Sequence, residues 1–109
     1  MQRDRKLKRK SKPNQSQSTN CVKKFTIQNK LGIHARPAAI FVQAMQKYEC
    51  EVFVQKGKQK VNGKSIMGLM MLAAGYGSNL TIETEGPDAP QAMNAIEQLF
   101  LQKFGEQEE

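Results

Sequence analysis

Histidine occurs once in the 109 residues, tryptophan not at all, and cysteine only twice, at Cys21 and Cys50. Each scarcity removes a class of chemistry. Two cysteines far apart, outside any Cys-x-x-Cys spacing, leave one histidine as the only other soft ligand. That is too few donors for a zinc or iron–sulfur centre, so neither metal nor cofactor is expected. His34 has no carboxylate close by in sequence to orient it, which leaves no Ser-His-Asp or Cys-His set to argue from. Neither a carboxylate pair nor a Walker loop is visible. No apolar run reaches the length of a signal-peptide core or a membrane span. With both cysteines read as free thiols of a reducing compartment, a cytoplasmic protein without membrane attachment is expected.

Charge of one sign is also missing from most of the chain. The net charge of +7 belongs to its beginning: residues 1–24 carry nine Lys/Arg and one Asp, whereas residues 25–109 carry eight Lys/Arg and nine Asp/Glu. A stretch so poor in apolar residues cannot offset its chain entropy by burial. Residues 1–22 are therefore expected to be a disordered basic tail, residues 23–105 the folded domain, and residues 106–109 a frayed acidic end. Such a tail can serve as a nucleic-acid arm. A solvated tail, or an over-extended start, is the simpler reading beside a nearly neutral domain.

What the chain does have is periodicity. Phe25 and Ile27 alternate with polar neighbours across residues 23–28, predicting a strand. Ala38, Phe41, Val42, Met45 and Tyr48 recur at helical spacing, predicting a helix over 35–47. Strands follow at 51–55 and 58–61, joined at Gly57 as a hairpin. Ser65 stands where an N-cap serine belongs, before a short helix over 66–72 with Leu69 and Leu72 turned to the core. Residues 79–85 alternate around Leu80 and Ile82 as a fourth strand. Asp88 is the expected cap of a last helix whose apolar positions run from Ala89 to Phe104. The order βαββαβα, with one strand face polar, predicts an α+β open-faced β-sandwich: a four-stranded antiparallel sheet with three helices on one face.

The densest chemistry lies in Gly32-Ile33-His34-Ala35-Arg36-Pro37-Ala38. Glycine permits a tight turn, and proline is tolerated only in a first helical turn. His34 thus falls at a helix start, where free N–H groups and the positive dipole end favour an anion. Arg36 adds a planar fork of donors suited to phosphate oxygens. A neutral nucleophile, an anion cradle and a phosphate clamp within three residues describe a phosphoryl acceptor. A lone histidine at a helix start is otherwise an ordinary surface or capping residue, and Ser65 an ordinary cap.

The first stretch resembles the active-site signature of the HPr family, the histidine phosphocarriers of the bacterial phosphoenolpyruvate:sugar phosphotransferase system (PTS). A second stretch, Val61-Asn62-Gly63-Lys64-Ser65-Ile66-Met67-Gly68-Leu69-Met70, resembles the family's regulatory serine segment, and the spacing between the two matches without a gap. The likeness spans about residues 23–104. It implies the HPr-like fold and a relay role without independent turnover. His34, on Nδ1, would accept a phosphoryl group from Enzyme I and pass it to IIA domains of sugar permeases, with Arg36 holding phosphate oxygens. Ser65 becomes a candidate phosphoserine for the HPr kinase/phosphorylase. Ile66, Met67 and Met70 become candidate docking residues, since methionine adapts to several partners. A monomer is expected.

Two alternatives stand beside this reading. One is a PTS-type regulatory phosphoprotein that moves no sugar. The other is an RNA-binding module of RRM type with a basic arm. That module needs stacking aromatics on its sheet, above all on the third strand. Lys58-Gln59-Lys60-Val61 offers none, so nucleic acid is not expected as a partner.

Overall fold

The computed structural model describes residues 19–106; residues 1–18, with most of the expected tail, and residues 107–109 lie outside the described residues. The elements run β1 (Thr19–Thr26), α1 (Ala35–Met45), β2 (Glu51–Lys56), β3 (Gln59–Asn62), α2 (Ile66–Met71), β4 (Asn79–Gly86) and α3 (Ala89–Leu101), then a 3-10 turn at Lys103–Gly105. The sheet order is β1-β4-β2-β3, every neighbouring pair antiparallel. This is the βαββαβα open-faced arrangement that the periodicity predicts.

Alternation in the strands decides which face is covered. Val52 and Val54 of β2 and Leu80, Ile82 and Thr84 of β4 point inward and are buried. Phe41, Val42 and Met45 of α1, Leu69 of α2, and Met93 and Ile96 of α3 close over them. The opposite face carries Glu51, Phe53, Gln55, Thr81, Glu83 and Glu85, half-buried or exposed. Across it Asn20 Nδ2 donates to Glu83 at 2.6 Å, and Lys60 Nζ bridges to Glu83 at 3.2 Å while sitting 5.0 Å from the Phe53 ring centroid.

Most boundaries fall within two residues of expectation, and those at the two ends of the described chain differ more. β1 begins at Thr19 rather than Lys23, pairing with β4 from Thr19↔Gly86 to Thr26↔Asn79. The expected boundary of the tail at residue 22 therefore falls inside a strand. Ladder bonds are made by backbone, so polar residues such as Thr19 and Asn20 join without an apolar signal. The last helix ends at Leu101 instead of reaching Phe104. Lys103 and Phe104 take left-handed conformations, φ 52 and φ 56, which reverse the chain. Such residues cost about 1–2 kcal/mol each. Phe104 offsets that by inserting fully into the core, edge-on to Phe100 with centroids 4.9 Å apart, while Phe100 stacks on Phe25 at 4.5 Å. Glu106, expected in the frayed end, is thereby carried back against the body of the protein.

Asp88 stands at the N-cap position of α3 but makes no side-chain bond to that helix. Its carboxylate instead accepts from the amides of Glu49 at 2.8 Å and Cys50 at 2.9 Å, tying the start of α3 to the entry of β2. Those amides hold the Asp88 carboxyl below its ordinary range. Burial, reinforced by the same carboxylate, pushes the Cys50 thiol up to about 11, so this cysteine is packing rather than nucleophile. Both cysteines are free thiols.

Candidate functional site

His34 occupies the N-cap of α1, with extended backbone and its carbonyl accepting from Ala38 at 3.1 Å. No side chain caps this end. The amides of Ala35 and Arg36 therefore open the helix without an intrahelical acceptor, and Pro37 has no N–H to satisfy. Pro37 and Ala38 are buried, which seats the first turn firmly on the core. The loop before it is held just as closely. Gly32 takes φ +71, and a Cβ there would meet Ala74 O at 2.4 Å and Gly75 Cα at 2.7 Å. Gly32 N bonds to Asn29 O at 3.0 Å and Ile33 N to Ala74 O at 2.9 Å, bracing the β1–α1 loop against the loop after α2.

The imidazole is neither sealed nor free: its side chain is 35 % exposed. Nε2 is the hidden atom, out of contact with solvent and 2.9 Å from Glu106 Oε2, in reach but not aligned as a full hydrogen bond. Glu106 is itself 89 % buried at the side chain, being only 11 % exposed, and its other oxygen accepts from Asn29 Nδ2 at 2.5 Å. The same nitrogen donates to Lys103 O at 2.8 Å, and Asn29 is fully buried. Asn29 and Glu106 are the site residues that sequence reasoning misses. Glu106 sits in an acidic end that reads as solvated, and only the reversal at Lys103–Phe104 brings it to the histidine.

Arg36 lies in the first turn of α1, exposed, with no hydrogen bond or ion pair to any described residue. A guanidinium held by nothing else is available to an incoming anion. Ser65 caps α2 as predicted, Oγ accepting from Gly68 N at 3.0 Å. Lys56 Nζ caps the other end of α2, 3.3 Å from both Leu72 O and Ala73 O. Leu69 and Leu72 are buried as expected, while Ile66, Met67 and Met70 face solvent together with Met71, which the spacing alone does not single out. α2 packs on α1, the helix that His34 starts. Among the described residues no group of three or more His, Cys, Asp or Glu stands where it could hold a metal ion, and no helix is long and apolar enough to cross a membrane.

Comparison with known proteins identifies the family. Residues 21–102 match the family model described as the PTS HPr component phosphorylation site. A phosphocarrier protein HPr from Treponema pallidum is 46 % identical over 86 residues, covering 79 % of this chain and 98 % of its own. The crystal structure of HPr-C-His from Thermoanaerobacter tengcongensis superposes with a TM-score of 0.77 at 42 % identity, covering 81 % of this chain and 99 % of its own. An HPr dimer from the same organism superposes with a TM-score of 0.64 at 45 % identity, covering 75 % and 94 %. The matched span takes in β1 from Cys21 on, the other three strands, all three helices and His34: the chain belongs to the HPr family of PTS phosphocarriers.

Proposed function

We propose that this chain carries a phosphoryl group on His34, taking it from Enzyme I, and ultimately from phosphoenolpyruvate, and handing it to IIA domains of sugar permeases. The observation that carries the reading is a part-exposed imidazole at the uncapped start of α1, with Arg36 unengaged in the same turn. Nδ1 is the ring nitrogen left to the outside. Its lone pair attacks phosphorus, and the bond from phosphorus to the donor breaks with its electron pair leaving on the donor. The open amides and the Arg36 guanidinium take up charge on the phosphoryl oxygens. Such a site needs no small substrate of its own, which suits a relay between two larger proteins.

Ser65 is the regulatory position in this reading, phosphorylated by the HPr kinase/phosphorylase. Its hydroxyl is half-buried at a helix start, where added negative charge is tolerated, so the phosphate acts on docking rather than on the fold. The apolar surface of Ile66, Met67 and Met70 is the docking surface beside it, with Met71 as its extension.

Incubation with Enzyme I and radiolabelled phosphoenolpyruvate tests the reading. Acid-labile label in the wild type, absent from His34→Ala, is the expected result; undiminished label in His34→Ala rejects it. Incubation with the kinase and ATP, with the phosphate mapped by mass spectrometry, tests Ser65 separately, and label at another residue rejects that assignment.

A further inference from the structure

We propose that Glu106, clamped by Asn29, is a positioning residue that sets the tautomer and attitude of the His34 ring and so selects Nδ1 for phosphoryl transfer. The inference rests on the reading of His34 as phosphoryl acceptor, but its structural half can be measured without any transfer.

A neutral imidazole has one N–H and one lone-pair nitrogen, and the partner of one nitrogen decides the role of the other. A carboxylate oxygen 2.9 Å from Nε2 repels a lone pair there and attracts a proton. Nε2 is shut off from solvent, so water cannot supply the alternative partner. The ring therefore holds its proton on Nε2 and presents the lone pair at Nδ1. This is the logic by which a carboxylate behind a metal-binding histidine orients its ring, used here to aim a nucleophile.

The carboxylate is placed by the fold and not by chance. Asn29 Nδ2 donates to Glu106 Oε1 and to Lys103 O, so one buried amide holds both the side chain and the turn that carries it. Phe104, between them in the chain, is buried against Phe100 and fixes the depth of that turn. After transfer, the new N–P bond is at Nδ1, the donor has departed with the electron pair, and Nε2 keeps its proton. The ring has then gained a positive charge, and the Glu106 carboxylate faces it. Glu106 thus favours the phosphorylated ring over the free one.

Glu106→Gln makes the test sharp. Because Asn29 Nδ2 is a donor, it claims the amide oxygen of the new side chain, whose NH2 then points at Nε2 and favours a proton on Nδ1 instead. Nitrogen-15 shifts of the His34 ring, taken at a pH where the ring is neutral, are expected to show the Nε2–H tautomer in the wild type. They should show a reversed preference in Glu106→Gln and both forms in Glu106→Ala. With Enzyme I and phosphoenolpyruvate, the equilibrium fraction of phosphorylated protein should fall in Glu106→Gln by roughly tenfold in the equilibrium constant, as expected on replacing a charge-assisted contact by a neutral one. Circular dichroism of both variants reads the fold independently. An Nδ1–H wild type, or a Glu106→Gln ring with unchanged tautomer and unchanged equilibrium, overturns the proposal. A wild type that shows the Nε2–H tautomer yet takes no label on His34 sinks the phosphocarrier reading instead, so the two failures are told apart.

Discussion

His34 and Arg36 sit two residues apart and meet opposite fates in the folded chain. The imidazole is held on one edge by a carboxylate from the far end of the sequence, whereas the guanidinium is held by nothing among the described residues. Arg36→Ala should therefore leave the thermal midpoint within about 4 °C, a surface change worth no more than ~0.5 kcal/mol. The rate of transfer from Enzyme I should drop roughly ten- to a hundredfold, the range lost with one charge-assisted bond to phosphate. Stopped-flow or quenched transfer together with a melting curve checks both halves. Ser65 behaves as an ordinary cap in the unmodified protein. Ser65→Ala should cost about 1 kcal/mol by denaturant titration, with little change in transfer to His34. Both positions were legible in the sequence, because a capping serine and an arginine in a first helical turn depend on neighbours within one turn.

The elements that present these residues are braced by contacts that no local pattern shows. Gly32 lies against the Ala74–Gly75 backbone with no room for a methyl group and in a left-handed conformation. Gly32→Ala should destabilise the protein by more than about 1 kcal/mol and slow transfer as well, since the loop that must give way aims the His34 turn. Phe104 is the matching case at the other end. Its helical spacing from Phe100 made it look like the last residue of α3, yet it reaches the core from a reversed turn. Phe104→Ala should cost about 3–5 kcal/mol, read by denaturant unfolding. It should also loosen Glu106 from Nε2, visible as increased exchange at the Asn29 side-chain amide. Helical spacing says that a residue is apolar and buried; whether the backbone continues or turns under it is decided by what it packs against.

For the molecule as a whole, the two faces of the sheet answer different questions. The covered face makes the core, and the open face carries Glu51, Glu83 and Glu85 with one aromatic, Phe53, already under Lys60. Lys24 and Lys60 lie among those carboxylates, so the face is of mixed charge. Its lack of a free stacking ring adds to the missing aromatics of β3 as an argument against RNA binding. The same carboxylates bear on stability. Hydrogen bonds from Asn20 and Lys60 lower the Glu83 carboxyl, and the Glu49 and Cys50 amides lower that of Asp88. A carboxyl depressed in the folded state contributes stability that is present above its unfolded value and lost as pH falls through the folded one. Stability should thus hold above about pH 5 and decline as pH drops below the ordinary carboxylate range near 4. In Asp88→Asn the acid-side decline should be shallower, because part of it is already absent; urea titrations at stepped pH measure both slopes.

Sequence alone determined the order of elements, the inward Leu80 and Ile82 of β4, the place of His34 at a helix start and the cap at Ser65. All of these follow from periodicity or from bonds spanning a few residues, and backbone geometry makes such relations independent of the rest of the chain. Tertiary structure alone decided that Asp88 serves β2 instead of its own helix, that Thr19 to Val22 join the sheet, and that Glu106 returns to the histidine held by Asn29. Those contacts link residues separated by much of the chain. Their partners become neighbours only once the core has closed and a buried phenylalanine has turned the end of the chain back on itself.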